Sequence, residues 1–239
     1  MKTLKKILLF IVVALAAVLT FFSFPELIHK NKGESISLGK VNKGKLDNPY
    51  LFPFRGKNFR YFSFISYYLM DNAYVNSKVY HTVLDAYEQL GKSHPNEKFW
   101  IMECSDKKGG KLKLHRTHQN GLSIDFMSPK KGQGLKYNGL GLRHYLLDFD
   151  ENGKLLRNKS VEINFELMAQ HILALQKAGK KYGVRVKKVI LKINLKDDLW
   201  KTPSGKKLKA SNIYFAQSLE KNVDDMHDDH YHIDFEILK

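Results

Sequence analysis

HDDHYHIDFEIL, residues 227–238, decides how the rest of the chain is read. From residue 230 onward polar and apolar side chains alternate: Tyr231, Ile233, Phe235 and Ile237 fall on one side, and His230, His232, Asp234 and Glu236 on the other. A period of two marks a strand with one face in a core, so a strand is expected at 231–238. Its polar face carries His230 and His232 together, with Cα atoms roughly 6–7 Å apart. At that separation one imidazole can bind a metal while the other reaches a water bound to it. A strand also fixes such ligands more firmly than a loop does.

Elsewhere the chain reads as mixed elements without repeats. Ser77 caps a helix in which Val79, Val83, Tyr87 and Leu90 recur at helical spacing, and which stops before Gly91. A longer helix starts after Asn164, runs through Phe165, Met168, Ile172, Leu175 and Ala178, and ends near Gly183. Further strands are expected at 99–105, 121–127, 145–149 and 186–195, with DENG at 150–153 as a hairpin turn between 145–149 and 154–156. Strands separated by unequal, partly helical connections imply an α+β fold: a central, mainly antiparallel β-sheet with flanking helices.

With 239 residues, 43% of them hydrophobic, the chain has room for one domain with a sizeable core plus a targeting segment. A formal charge of +16 draws it towards nucleic acid, anionic lipid or an acidic cell-envelope polymer. The N-terminus narrows that choice. Lys2, Lys5 and Lys6 precede an uncharged apolar run at 7–24, so residues 1–26 read as a signal peptide or N-terminal transmembrane anchor. FFSFPE offers no small-x-small cleavage site, which favours an uncleaved inner-membrane anchor with a cytoplasmic N-terminus. The bulk of the chain is then exported to the periplasm or cell envelope. Residues 27–58, rich in Gly, Lys and Asn, read as a linker and irregular lead-in, and 59–239 as the functional domain. Cys104, the only cysteine, excludes an intramolecular disulfide and reads as a small buried hydrophobe.

A metal needs more ligands than one strand supplies, and HRTHQNGLSIDF at 115–126 offers His115, His118 and Asp125, with Gly121 letting the backbone turn into the following strand. Catalytic zinc takes three N or O ligands and keeps a fourth position for water. His118, Asp125 and one histidine of the HYH pair make that set, leaving the other histidine free to act as a base. The histidines at 29, 81, 94, 144 and 171 show no partner pattern and read as structural or surface residues.

These residues resemble the LAS metallopeptidases, the group of lysostaphin, the D-alanyl-D-alanine peptidases and the sonic hedgehog signalling domain. The group's signature is His, six residues, Asp, then His-x-His far downstream, which His118 to Asp125 and His230-Tyr231-His232 match in spacing and order. Within the group the chain is most similar to the penicillin-insensitive murein endopeptidases. HRTHQNGLSIDF resembles their HxxHQxGLxxD block and HDDHYH their HxxHxH block; SLGKVNKGKLDN and VKKVILKIN are weaker likenesses. The resemblance implies a LAS/hedgehog-like peptidase fold and Zn²⁺ held by His118, Asp125 and His232. It further implies that His230 is catalytic with His227 orienting nearby, and that the substrate is the peptide cross-links of peptidoglycan. Two departures stand out: Ser123 occupies a position where the family often has an acid, and ENGKL at 151–155 lacks the acid and histidine of the family's Asp-Gly-Lys-His run. His115 is left as a ligand of a second metal or as support to the first. Two other classes are compatible with the residues: a non-catalytic zinc-binding wall-attachment or signalling module, and a membrane-anchored basic nucleic-acid binder. The intact His230 speaks against the first. No nucleic acid is expected as a partner, because the lysines are scattered rather than interleaved with aromatics in a recognisable module.

Overall fold

The computed structural model describes residues 2–112, 115–132, 141 and 147–238, without the side chains of residues 2, 19 and 21–24. The chain starts with α1 (Lys2–Ile28), followed by a hairpin of β1 (Ile36–Lys40) and β2 (Lys43–Asp47). Then come β3 (Tyr50–Leu51), β4 (Phe59–Tyr61), β5 (Tyr74–Val75), α2 (Ser77–Ser93), β6 (Phe99–Ile101) and β7 (Ser123–Met127). The second half holds β8 (Lys130–Lys131), β9 (Glu162–Ile163), α3 (Phe165–Lys181), β10 (Val184–Ile190), α4 (Lys196–Lys201) and α5 (Pro203–Lys209). It ends with β11 (Tyr214–Phe215), α6 (Lys221–Asp225) and β12 (His230–Ile237).

The main sheet has six strands in the order β11-β10-β12-β7-β6-β4. Its three inner pairings are antiparallel, while β11 and β4 join their neighbours in parallel at the two edges. This is the expected α+β architecture, with a sheet antiparallel at its centre and mixed overall. α2 and α3 pack on each other and on β10, meeting the face that carries Ile124, Phe126, Tyr231, Ile233 and Phe235, all fully buried.

Both long helices lie where apolar spacing puts them, and their starts differ in detail. α3 is capped by Asn164, whose side chain accepts from Leu167 N–H. α2 is capped one residue earlier than expected, by Asn76 accepting from Lys78 N–H, because the Ser77 hydroxyl accepts instead from Ser35 N–H at 3.0 Å. The strand expected at 145–149 falls partly outside the described residues, as does His144. Phe149 forms a single antiparallel bridge with Leu155 across the 150–153 turn.

Residues 27–58, read as a linker and lead-in, are tied to the body along their length. The His29 ring packs edge-on against that of Tyr74 with centroids 5.1 Å apart, the Ser37 hydroxyl donates to Asn120 O at 2.7 Å, and the Asn76 amide donates to Ser37 Oγ at 2.9 Å. At the end of α1 the Glu26 carboxylate accepts from Phe54 N–H at 2.6 Å and lies 3.1 Å from the Tyr67 hydroxyl. The apolar run of α1 projects exposed side chains such as Leu8, Leu9 and Phe10. Among the described residues no helix is long and apolar enough to cross a membrane, the 7–24 run including side chains that lie outside them.

His171 sits fully buried on α3, stacked on Tyr87 and Phe99 and sharing a 2.6 Å hydrogen bond with the Tyr231 hydroxyl. Burial holds its pKa down at about 3, against about 6.5 in an unfolded chain. Below that value the unfolded chain takes up a proton the folded one refuses. Its contribution to stability is therefore whole above about pH 6.5 and falls by about 1.4 kcal/mol per pH unit on acidification. Urea unfolding between about pH 6.5 and pH 4 should show a shallower loss in His171→Phe than in the wild type; equal slopes would refute the assignment.

Candidate metal centre

β12 pairs with β7 so that His232 stands opposite Asp125, Asp234 opposite Ser123 and His230 opposite Met127. On its other side, Lys188 of β10 stands opposite Asp234 and Ile190 opposite His232. The register thus gathers the polar side chains of three strands on the face turned away from α2 and α3. That face is covered: Asp125 and His232 are each 2% exposed and Asp234 3%. Charge at such depth persists only when paired. His232 meets a carboxylate at each ring nitrogen, with Nδ1 2.7 Å from Asp125 Oδ1 and Nε2 2.7 Å from Asp234 Oδ1. Burial opposes charge on His232, but the two carboxylates outweigh it and raise its pKa to about 9.

The other oxygen of Asp125 faces the loop that leads into β7. His118 Nε2 approaches Oδ2 at 3.2 Å and His115 Nδ1 at 3.6 Å, and the His118 ring lies 4.8 Å from that of His232. Burial by itself would raise the Asp125 pKa, but His118 and His232 hold it well below the usual carboxylate range. Burial lowers His115 to about 4, so its imidazole is neutral at physiological pH. Ligand atoms of His115, His118 and Asp125 lie within 4.8 Å of one another, and the group can hold a metal ion.

Two features of His118 fit a cation. Both its ring nitrogens are buried without a hydrogen bond, the approach to Asp125 being too poorly aligned to count as one. An orphaned buried polar group costs about 1–3 kcal/mol, which a cation within reach of Nε2 would offset. The His118 backbone also has φ +66, a left-handed conformation that side chains rarely adopt. The loop is held from several sides: Gln119 N–H donates to Val41 O, Gly121 N–H to Ser105 Oγ, and Asn76 N–H to Gly121 O. Gly121 supplies the turn expected of it, with φ +76 and the Asn76 nitrogen only 2.7 Å from where a Cβ would sit.

His230 and His227 form a second pair, with ring centroids 4.8 Å apart. His230 Nδ1 lies 2.6 Å from Asp229 Oδ1; burial would lower its pKa, but the Asp229 hydrogen bond prevails and raises it to about 9. His227 Nδ1–H donates to Val223 O at 2.6 Å, and burial, with the His230 charge beside it, lowers it to about 3. All six sequence-derived site residues therefore lie in two adjoining groups: His115, His118 and His232 around Asp125, and His227 with His230. Sequence reasoning did not single out Asp229, Asp234 or Lys188. Asp229 could have been suspected from its place beside His230, and Asp234 from its place on the polar face of the strand. Cys104 is fully buried, and burial pushes its thiol well above the ordinary range.

No family model matches the chain, and no curated protein does so.

His118→Ala and Asp125→Ala should each abolish the binding of one divalent metal per chain, measured by elemental analysis after dialysis; full metal in both would dissolve the site. Gly121→Ala should lower stability in urea by about 2–3 kcal/mol through combined strain and clash. Gly110→Ala, also at positive φ but with nothing within 4 Å of the added Cβ, should cost only about 1 kcal/mol.

Proposed function

We propose that the protein is a zinc metallopeptidase, similar to the penicillin-insensitive murein endopeptidases, that hydrolyses peptide cross-links of peptidoglycan in the cell envelope. The proposal includes export, with α1 serving as an inner-membrane anchor or a removed signal. One observation carries the reading. A buried carboxylate, Asp125, is flanked by imidazoles at both oxygens, and a histidine–aspartate pair, His230 with Asp229, stands two residues along the same strand face.

His118, Asp125 and His232 would hold the ion, with His115 as a further imidazole beside them. When bound, zinc supplies a Lewis acid that polarises a carbonyl and brings the pKa of water down towards about 7. The protein's own part is to place and move protons. Asp229 engages His230 through Nδ1, leaving Nε2 for the reaction. With its proton, Nε2 can donate to an amide oxygen as negative charge develops there; without it, Nε2 can accept a proton from water. His227 is neutral, tied to Val223 O and packed on the His230 ring, and so limits the ways that ring can turn. The excess of Lys and Arg, 40 against 24 acidic residues, suits an anionic wall polymer.

The test is release of monomeric muropeptides from cross-linked peptidoglycan, with zinc measured on the same samples. His232→Ala should lose metal and activity together. His230→Ala should keep zinc and lose on the order of 10² to 10⁴ in turnover. A wild-type chain that holds its metal and releases nothing from any cross-linked substrate would leave the non-catalytic zinc-binding module in place of the enzyme.

A further inference from the structure

We infer that Asp234 is a positioning residue for the metal centre: by accepting the Nε2 proton of His232 it fixes Nδ1 as the atom that this histidine offers to a metal beside Asp125. The inference rests on the metal reading of the site and not on the peptidase reading.

The hydrogen bonds around Asp234 allow little else. Its side chain is 5% exposed and its carboxylate has three partners: the Ser123 hydroxyl donates to Oδ1 at 2.7 Å, Lys188 Nζ lies 2.7 Å from Oδ2, and His232 Nε2 is 2.7 Å from Oδ1. A lysine ammonium can only donate, and an ionised carboxylate can only accept. The His232 contact therefore has a single sensible polarity, with Nε2 carrying the hydrogen.

That polarity decides the other side of the ring. His232 Nδ1 is 2.7 Å from Asp125 Oδ1, and two bare lone pairs at that distance would repel. Something positive must lie between them, a proton or a metal ion. Asp234 thus aims the ligand lone pair at the centre of the site from the far end of the imidazole, the role a carboxylate plays behind many metal-bound histidines.

Strand geometry makes the arrangement rigid. Lys188, Asp234 and Ser123 are register partners across β10, β12 and β7, and Ile190, His232 and Asp125 form the adjacent row. Neither carboxylate can shift along the face without the whole sheet sliding.

Asp234→Asn separates this role from simple packing, because the side chain keeps its shape. Lys188 would draw the amide oxygen and turn the NH₂ group towards His232, so that Nε2 becomes the acceptor and Nδ1 takes the hydrogen that faces Asp125. In the full-length chain, Zn²⁺ affinity measured by chelator competition should fall by roughly 10- to 100-fold. The visible spectrum of the Co²⁺ form should change as well. Ser123→Ala, which removes a donor but leaves the carboxylate, should stay within about threefold of the wild type. A second reading needs no metal: in the metal-free wild type, ¹⁵N-resolved NMR should show an exchange-protected Nε2–H on His232, and Asp234→Asn should abolish it. Wild-type affinity in Asp234→Asn, or no such proton in the wild type, would overturn the inference. A protected proton in a chain that binds no metal would uphold the hydrogen bond but overturn the inference together with the metal reading it rests on.

Discussion

The pairing of β12 with β7 in one particular register is the constraint on which the rest of the structure depends. On one side of these strands Tyr231, Ile233, Phe235, Ile124 and Phe126 are buried under α2 and α3. Each such side chain contributes roughly 1.5–3 kcal/mol on leaving water. The other side carries His230, His232, Asp234, Ser123 and Asp125. Because successive residues point to opposite faces, a slip of one residue would send the charged set into the core and the aromatic set out of it. The hydrophobic face therefore holds His232 opposite Asp125 without any polar contact having to specify it.

What the polar face gains in definition it loses in stability. Running across it is a row of ionisable groups: the Lys188 ammonium, the Asp234 carboxylate, the His232 imidazole, Asp125 and His118. All but Lys188 are nearly inaccessible to water. Desolvating such groups costs several kcal/mol per ion, and their mutual attraction repays this only with close geometry. The close geometry is there, at 2.7 Å for each link from Lys188 to Asp125. It fails at His118, whose ring nitrogens find no aligned partner and whose backbone sits at positive φ. The unmatched end of the row thus coincides with the strained residue, as expected where a fold keeps a place for a ligand.

Much of this was legible in the sequence because it depends on period and spacing. The alternation from 230 to 237 gave the strand and its polar face, and the helical spacing of Val79, Val83 and Leu90, or of Met168, Ile172 and Leu175, gave the helices. Interactions across strands were harder to read. Nothing local couples Lys188 to Asp234 or Ser123 to Asp234; those contacts exist only once the register is known. Hairpin β1–β2 escaped because most of its residues are exposed on both faces, so the segment carries no apolar alternation to set it apart from a loop. The two-residue strands β3, β5, β8, β9 and β11 are too short for any period to show.

The Glu26 carboxylate, which accepts from Phe54 N–H and lies beside the Tyr67 hydroxyl, pins the last turn of α1 to the globular body. A body on a flexible tether roams, whereas one pinned at the root of a helix stays close to whatever holds that helix. Whatever surface captures α1 would thereby keep the His232–Asp125 face near it. The reach of that face would be measured by the span of the folded body and not by a length of loose chain.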